Sequence, residues 1–243
     1  MVTYSDLATG TPDHPVPARP WLMAQEWQNV LFLHWAVDPG TIRDRIPAGL
    51  ELQTWEGRAW ITLVPLHMAD IHLRHLPPIF HFEHFAELNF RTYVTKDGFP
   101  GVWFFDILAD NRPSCWIGRL LFHAPYRDAS ASLTSEQEHF DFKCRRGSTT
   151  CSVRYTPHGD PFTPKAGSLD LSLTERYAMY VTRWGGRLLR GVIHHSPWEL
   201  RQVDVEIEED SVLTADGFPG LGPPDRAFFS SGTRSVVWSL ERA

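Results

Sequence analysis

Lysine and cysteine are both scarce in this 243-residue chain, with three of each. The cysteines (Cys115, Cys144, Cys151) are odd in number and show no C-x-x-C spacing, which argues against a disulfide scaffold or a zinc ribbon and fits a reducing cytoplasm. No apolar run approaches the roughly 18 residues of a membrane span, so no membrane partner is expected. Basic charge is not in excess: the formal net charge is −6, which argues against a nucleic-acid partner, since phosphate binding rests on Lys and Arg. There is no glycine-rich phosphate or dinucleotide loop and no G-x-S-x-G, so neither a nucleotide cofactor nor a serine hydrolase is indicated, and no cofactor is expected. The first twenty residues lack the basic start and apolar stretch of a secretory signal. With Pro12, Pro15, Pro17 and Pro20 they read as a flexible arm over 1–20, ahead of one domain over 21–243.

Aromatic residues are abundant, at 13% with ten Trp, enough for a large core that also lines a cavity. Strand and turn signals dominate. NVLFLHWAV (29–37) is rich in β-formers. LELQTW and RAWITLVPL flank Glu56-Gly57. FAELNFRTYV and PGVWFFDIL flank Asp97-Gly98, a tight-turn signal between alternating strands. EHFDFKC with TTCSVRYTP, and AMYVTRW with RLLRGVIHH, give two further hairpins; VDVEIEE and RSVVWSL add late strands. Helices are expected after Asp38, which caps Pro39, in 114–125, where Trp116, Leu120 and Leu121 have helical spacing, and in 168–177 after Ser168. Many short strands with few helices predict a mainly β protein, a closed or nearly closed antiparallel barrel with two or three short helices.

Four segments carry candidate chemistry. In FAELNFRTYV, Glu87, Asn89, Arg91 and Tyr93 share one strand face; Ala86, Leu88, Phe90 and Thr92 share the other. The polar face is either solvated or turned into a barrel interior that holds a ligand. HMADIHLRHLPPIFHFEH contains His67, His72, His75, His81 and His84 with Glu83. These residue types suit zinc or iron, but the spacing fits no helical metal motif and Pro77-Pro78 interrupts it, so no metal is expected. In GVIHHSPWEL, His194 and His195 point to opposite sides of a strand, so at most one faces an interior, as a packed core residue or a general base. In LTERYAMY, Glu175, Arg176 and Tyr177 read as a local cap or ion pair.

Several segments resemble the YqjF-like family of uncharacterised bacterial proteins: IPAGLELQTWEGRAWITLVP, ELNFRTYVTKDGFPGVWFFDI, GRLLFHAPYRDA, LTERYAMY and IHHSPWEL, spread over roughly residues 22 to 240. The resemblance implies the acetoacetate decarboxylase-like fold, a cone-shaped antiparallel β-barrel with a buried pocket, often assembled as a homo-oligomer. In the decarboxylases a Gly-Arg-Glu helix start leads to Phe-Pro-Lys-Lys, whose first Lys forms a Schiff base, its amine made nucleophilic by a depressed pKa. Here Gly118, Arg119 and Pro125 match that pattern. Tyr126 stands at the Schiff-base position and Arg127 at its cationic neighbour, and a phenol forms no imine. None of Lys96, Lys143 and Lys165, at turns or strand ends, replaces it. Glu87 matches the catalytic Glu of the preceding strand. Together these readings give Glu87 and Tyr126 as catalytic candidates and Arg91, Asn89, Arg119 and His195 as substrate-binding ones. The expected partner is a small anionic or carbonyl compound, bound or turned over by acid–base chemistry.

Overall fold

The structure, a computed structural model, describes residues 3–8, 15–74, 84–183 and 185–243. The chain runs α1 (Tyr4–Leu7), β1 (Met23–Val37), α2 (Gly40–Arg43), β2 (Glu51–Leu52), β3 (Thr54–Trp55), β4 (Arg58–Leu73), β5 (His84–Lys96) and β6 (Phe99–Ala109). Then come α3 (Arg112–Phe122), β7 (Tyr126–Asp128), β8 (Ser130–Glu136), β9 (His139–Arg146), β10 (Thr149–Phe162) and α4 (Leu169–Thr174). The last third holds β11 (Ala178–Arg183), β12 (Arg187–His195), β13 (Leu200–Asp210), α5 (Val212–Ala215), β14 (Arg226–Val237) and β15 (Glu241–Arg242).

Tight turns set the register. Lys96 pairs with Phe99 across Asp97 (φ 50°) and Gly98 (φ 78°), and Trp55 pairs with Arg58 across Glu56 (φ 50°) and Gly57 (φ 76°). Positive φ at both central residues matches the twist of an antiparallel pair. The strand order β12-β11-β6-β5-β4-β1-β14, together with the pairing of β14 to β12, closes a ring of seven strands. Two pairings in the sheet are parallel, β6 with β7 and β6 with β11, where an antiparallel barrel was expected. The first follows from a helical crossover: α3 carries the chain from the end of β6 back to β7 beside it.

A second layer, β13-β10-β9-β8, continues from β14 and covers the outside of the ring. Leu31, Leu33 and Trp35 of β1, Leu63 of β4, and Ala86, Leu88 and Phe90 of β5 pack there with Phe142 of β9 and Val153 of β10. Both faces of β5 are therefore buried: the apolar one lies in the core between the layers, and the polar one looks into the ring.

The helices arise as capped segments. Ser168 accepts from Leu171 N at 3.2 Å, and Asn111 caps α3 by accepting from Ser114 N at 2.9 Å. Asp38 accepts from Gly40 N at 2.7 Å, with α2 starting one residue later than the sequence indicates. In α3 the buried side is Cys115, Gly118 and Phe122, while Trp116 (59% exposed) and Leu120 (55%) face solvent. The segment read as a free arm is anchored where it is described. Leu7 is buried against Ala24, Val192 and Trp238, and the Tyr4 hydroxyl donates to Asp70 at 2.6 Å.

Candidate active-site recess

Cross-strand rows inside the ring place the polar residues of β5. Glu87 lies opposite Leu66 of β4 and Ala109 of β6, Asn89 opposite Val64 and Ile107, and Arg91 opposite Thr62 and Phe104. Glu87, Asn89 and Tyr126 line one recess of about 70 Å³, with Trp27, Phe104, Ile107 and Met179 among its apolar walls. It continues into an outer chamber of about 90 Å³ through shared Met23, Gln25, Met68, Phe122 and Tyr126; Ile117 and Leu121 of α3 line that chamber.

The end of α3 delivers Tyr126. His123 adopts a left-handed conformation (φ 49°) that stops the helix, Pro125 cannot extend it, and Tyr126 then pairs in parallel with Ile107. Its ring lies on the helix at Gly118, where a Cβ would stand 2.3 Å from Tyr126 Cδ2. Tyr126 is partly exposed as a residue, yet its hydroxyl is enclosed and couples to Glu87.

Glu87 is 3% exposed, and Oε2 has no hydrogen-bond partner among the described residues. Burial pushes its carboxyl up to about 8, against weaker downward pulls from Tyr126 and Asn89. Burial, then the Glu87 charge, lifts the Tyr126 phenol well above its ordinary value. Near neutral pH the recess therefore ends in an undissociated carboxyl beside an undissociated phenol. The phenol donates its one hydrogen to the Glu87 carboxyl, which leaves the carboxyl proton to donate to an acceptor or to be yielded close to physiological pH.

The other candidates divide. Arg91 shares the inner face with Glu87 but does not join it; its guanidinium turns the other way, donating to Leu173 O at 3.4 Å and lying 5.8 Å from the rings of Phe32 and Tyr93. His195 packs among Tyr177 (4.6 Å), Trp198 (5.1 Å) and Trp27 (5.5 Å), the last a wall of the recess. Its ring nitrogens face the carbonyls of Ser196 (2.8 Å) and Arg176 (3.4 Å). His194, on the other strand face, is buried too, so neither imidazole is solvated. Arg119 is exposed on α3 and donates to Tyr126 O at 2.9 Å, which fixes the start of β7 and keeps the guanidinium out of the recess. Arg127 is likewise outside, 3.0 Å from Asp106.

The lysines are remote from the recess. Lys96 pairs with Asp97 at a hairpin tip, Lys143 with Asp141 on β9, and Lys165 is exposed. In the His-rich segment, His67 stacks on His84 at 5.7 Å and His72 lies 3.3 Å from Asp70. His75, His81 and Glu83 fall outside the described residues. Among the described residues no three His, Cys, Asp or Glu are grouped to hold a metal ion.

The profile of DUF2071, described as an uncharacterized conserved protein (COG2071), matches residues 24–234. The chain belongs to this family. It is 39% identical over 205 residues to the uncharacterized protein YqjF of Bacillus subtilis (strain 168), covering 83% of this chain and 84% of that one. Among solved structures it is similar to an acetoacetate decarboxylase-like enzyme from Sphingomonas wittichii RW1 (14% identity, TM-score 0.65, covering 96% and 98% of the two chains). It is also similar to the enduracididine biosynthesis enzyme MppR complexed with pyruvate (14% identity, TM-score 0.64, 96% and 94%). The YqjF-like chain thus has the acetoacetate decarboxylase-like, mainly β fold. No helix among the described residues is long and apolar enough to cross a membrane.

Sequence reasoning missed three interior residues. Trp27, in an unremarkable stretch, lines the recess. His34 is fully buried, aligned with Thr62 across β1 and β4. Arg176, read as a local cap, does cap α4 through the Ser172 carbonyl, but its guanidinium is also buried against Tyr93. Only the inward period of β1, with His34 among apolar neighbours, offered a signal.

Proposed function

We propose that the recess binds a small carbonyl compound or oxo-acid without covalent imine chemistry. The observation that supports this is the buried Glu87 carboxyl, pushed toward its neutral form by burial and with Oε2 unpaired among the described residues, beside the Tyr126 phenol in a mainly apolar recess. A buried neutral acid backed by a phenol suits the carbonyl oxygen of such a compound, which accepts a hydrogen bond and brings no charge to this end of the recess. Asn89 offers a third polar contact, and the outer chamber receives the hydrocarbon remainder. The similar enzyme solved with pyruvate supports the oxo-acid class.

Titration calorimetry with pyruvate, acetoacetate and 2-heptanone is expected to give at least one saturable isotherm. Glu87→Gln and Tyr126→Phe should each weaken it about tenfold, the cost of one buried hydrogen bond. Unchanged affinity in both variants would remove Glu87 and Tyr126 from the site. Borohydride added with acetoacetate is expected to leave Lys96, Lys143 and Lys165 unmodified by mass spectrometry, because none reaches the recess. A stoichiometric adduct would restore Schiff-base chemistry.

A second reading is a lyase or isomerase acting on small oxo-acids. Its support is that Glu87 titrates at about 8, close enough to neutrality to take a proton in one step and return it in the next. The ionised form of Glu87, whose share grows as pH approaches 8, would remove a proton next to the carbonyl while the Tyr126 hydroxyl turns to the developing enolate oxygen. Deuterium exchange at the ligand's α-carbon, followed by NMR and lost in Glu87→Gln, separates this reading from binding alone.

A further inference from the structure

We propose that Arg91 and Arg176 form a second interior site, for the carboxylate of an organic acid, distinct from the Glu87 recess. The two side chains come from β5 and from the end of α4, and meet at one ring. Arg176 Cζ lies 4.9 Å and Arg91 Cζ 5.8 Å from the centre of Tyr93, and Arg91 also approaches Phe32. Arg176 is 8% exposed and Arg91 partly buried. Neither forms an ion pair with a carboxylate among the described residues. The acids of α4 and its C-cap are engaged elsewhere: Glu175 accepts from Trp198 N at 2.7 Å and from the Tyr177 hydroxyl at 2.6 Å, and Asp170 lies 3.9 Å from Arg226. Two like charges thus lie near one ring without an anion, an arrangement that is costly unless something neutralises it.

The hydrogen bonds specify what is missing. Arg176 uses Nη2 on the Ser172 carbonyl and hydroxyl; Arg91 uses Nη2 on Leu173 O. In both, Nε is buried without a partner among the described residues. Two orphaned N–H groups match the two oxygens of one carboxylate, which accepts along both lobes. A phosphate dianion fits less well, since its remaining oxygens would meet the apolar rings of Phe32 and Tyr93. Of the neighbouring polar groups, Tyr93, Thr62 and His34 Nδ1 satisfy one another, while His34 Nε2 is buried without a partner among the described residues. The Tyr93 hydroxyl donates to Leu173 O (2.8 Å) and therefore accepts from Thr62 Oγ1 (2.6 Å), which in turn accepts from His34 Nδ1 (2.8 Å). This chain makes His34 the neutral Nδ1–H tautomer, and burial holds it well below its ordinary pKa. It adds no third cation. Glu87 is separate: four residues along a strand put its Cα about 13 Å from that of Arg91.

The test is titration of the purified chain with sodium acetate and, separately, sodium phosphate, at constant ionic strength set with sodium chloride. Binding is read by the melting temperature and by acetate 13C NMR. Acetate is expected to stabilise the wild type saturably. Arg91→Leu and Arg176→Leu should each weaken it at least tenfold, and Arg154→Ala, a surface arginine on β10, should leave it unchanged. Should a leucine variant fail to fold, Arg176→Lys keeps the charge and removes the Nε donor, and is expected to lose acetate just as well. A saturable response to phosphate alone, no response beyond chloride, or wild-type affinity in the Arg176 variants would overturn the assignment. Neutral 2-heptanone, the probe of the recess, is indifferent to these outcomes, so the two sites stand or fall separately.

Discussion

Glu87→Gln is expected to make the protein more stable than wild type at pH 8 and almost equal to it at pH 4. An unfolded chain releases the Glu87 proton above its ordinary value of about 4.5, whereas the folded chain keeps it until about 8. Between those values the folded state binds more protons than the unfolded one, so stability falls as pH rises through the window and levels off above it. The loss approaches about 5 kcal/mol at most, from roughly 1.4 kcal/mol for each pH step of the window. Gln has nearly the same shape and never ionises, so its variant should lack this slope. Asp106, raised to about 6 chiefly by burial, weakens both proteins in the same direction and cancels in the difference. Chemical denaturation of the two proteins from pH 4 to pH 9 measures it. Parallel curves would mean that Glu87 ionises normally and that the neutral-acid chemistry of the recess is mistaken.

What the sequence revealed of the fold was local. Asp97-Gly98 and Glu56-Gly57 need no tertiary context to make tight turns, so β5, β6 and their register were legible, as was the division of β5 into a polar and an apolar face. Which face looked inward was not. That depends on β12 meeting β14 (Ile193 with Val237) to close the ring, and on the β8–β10 layer covering the apolar side. The α3 helix was legible from its spacing, although Trp116 and Leu120, which marked it, turned out to be its exposed side. Gly118 carries part of the reason: the middle of the buried side had to be flat to receive an aromatic ring, so only Phe122 gives that side large apolar bulk.

The candidate site was half legible. Glu87, Asn89 and Tyr126 meet, two of them by strand period and the third through the family pattern. Arg91 shares the correct face but is drawn away by the Tyr93 ring and the Leu173 carbonyl, contacts that a strand alternation cannot encode. Arg119 matched the family's helix start, yet it serves the backbone of Tyr126 from outside. Arg176 sat in a triplet whose near neighbours explained it too well. Its guanidinium reaches Tyr93 because the end of α4 meets β5 there, where Leu173 O accepts from the Tyr93 hydroxyl.

A large steric effect is expected at Gly118, and its sign should depend on residue 126. A methyl group there would lie 2.3, 2.6 and 3.1 Å from Cδ2, Cε2 and Cγ of Tyr126. These atoms include the root of the ring, which cannot swing aside without moving β7. Overpacking of this kind costs about 1–3 kcal/mol. Gly118 is also helical with no strained φ, so in the absence of the ring an alanine would favour the helix by about 1 kcal/mol. Gly118→Ala should therefore destabilise the wild type and displace the phenol from Glu87, lowering ligand affinity along with stability. In a Tyr126→Ala background the same substitution should be neutral or stabilising. The double-mutant cycle, measured by denaturant unfolding, is expected to give a coupling of at least about 2 kcal/mol. Additive effects would show that Tyr126 does not rest on α3, and would remove the physical basis for placing its hydroxyl in the recess.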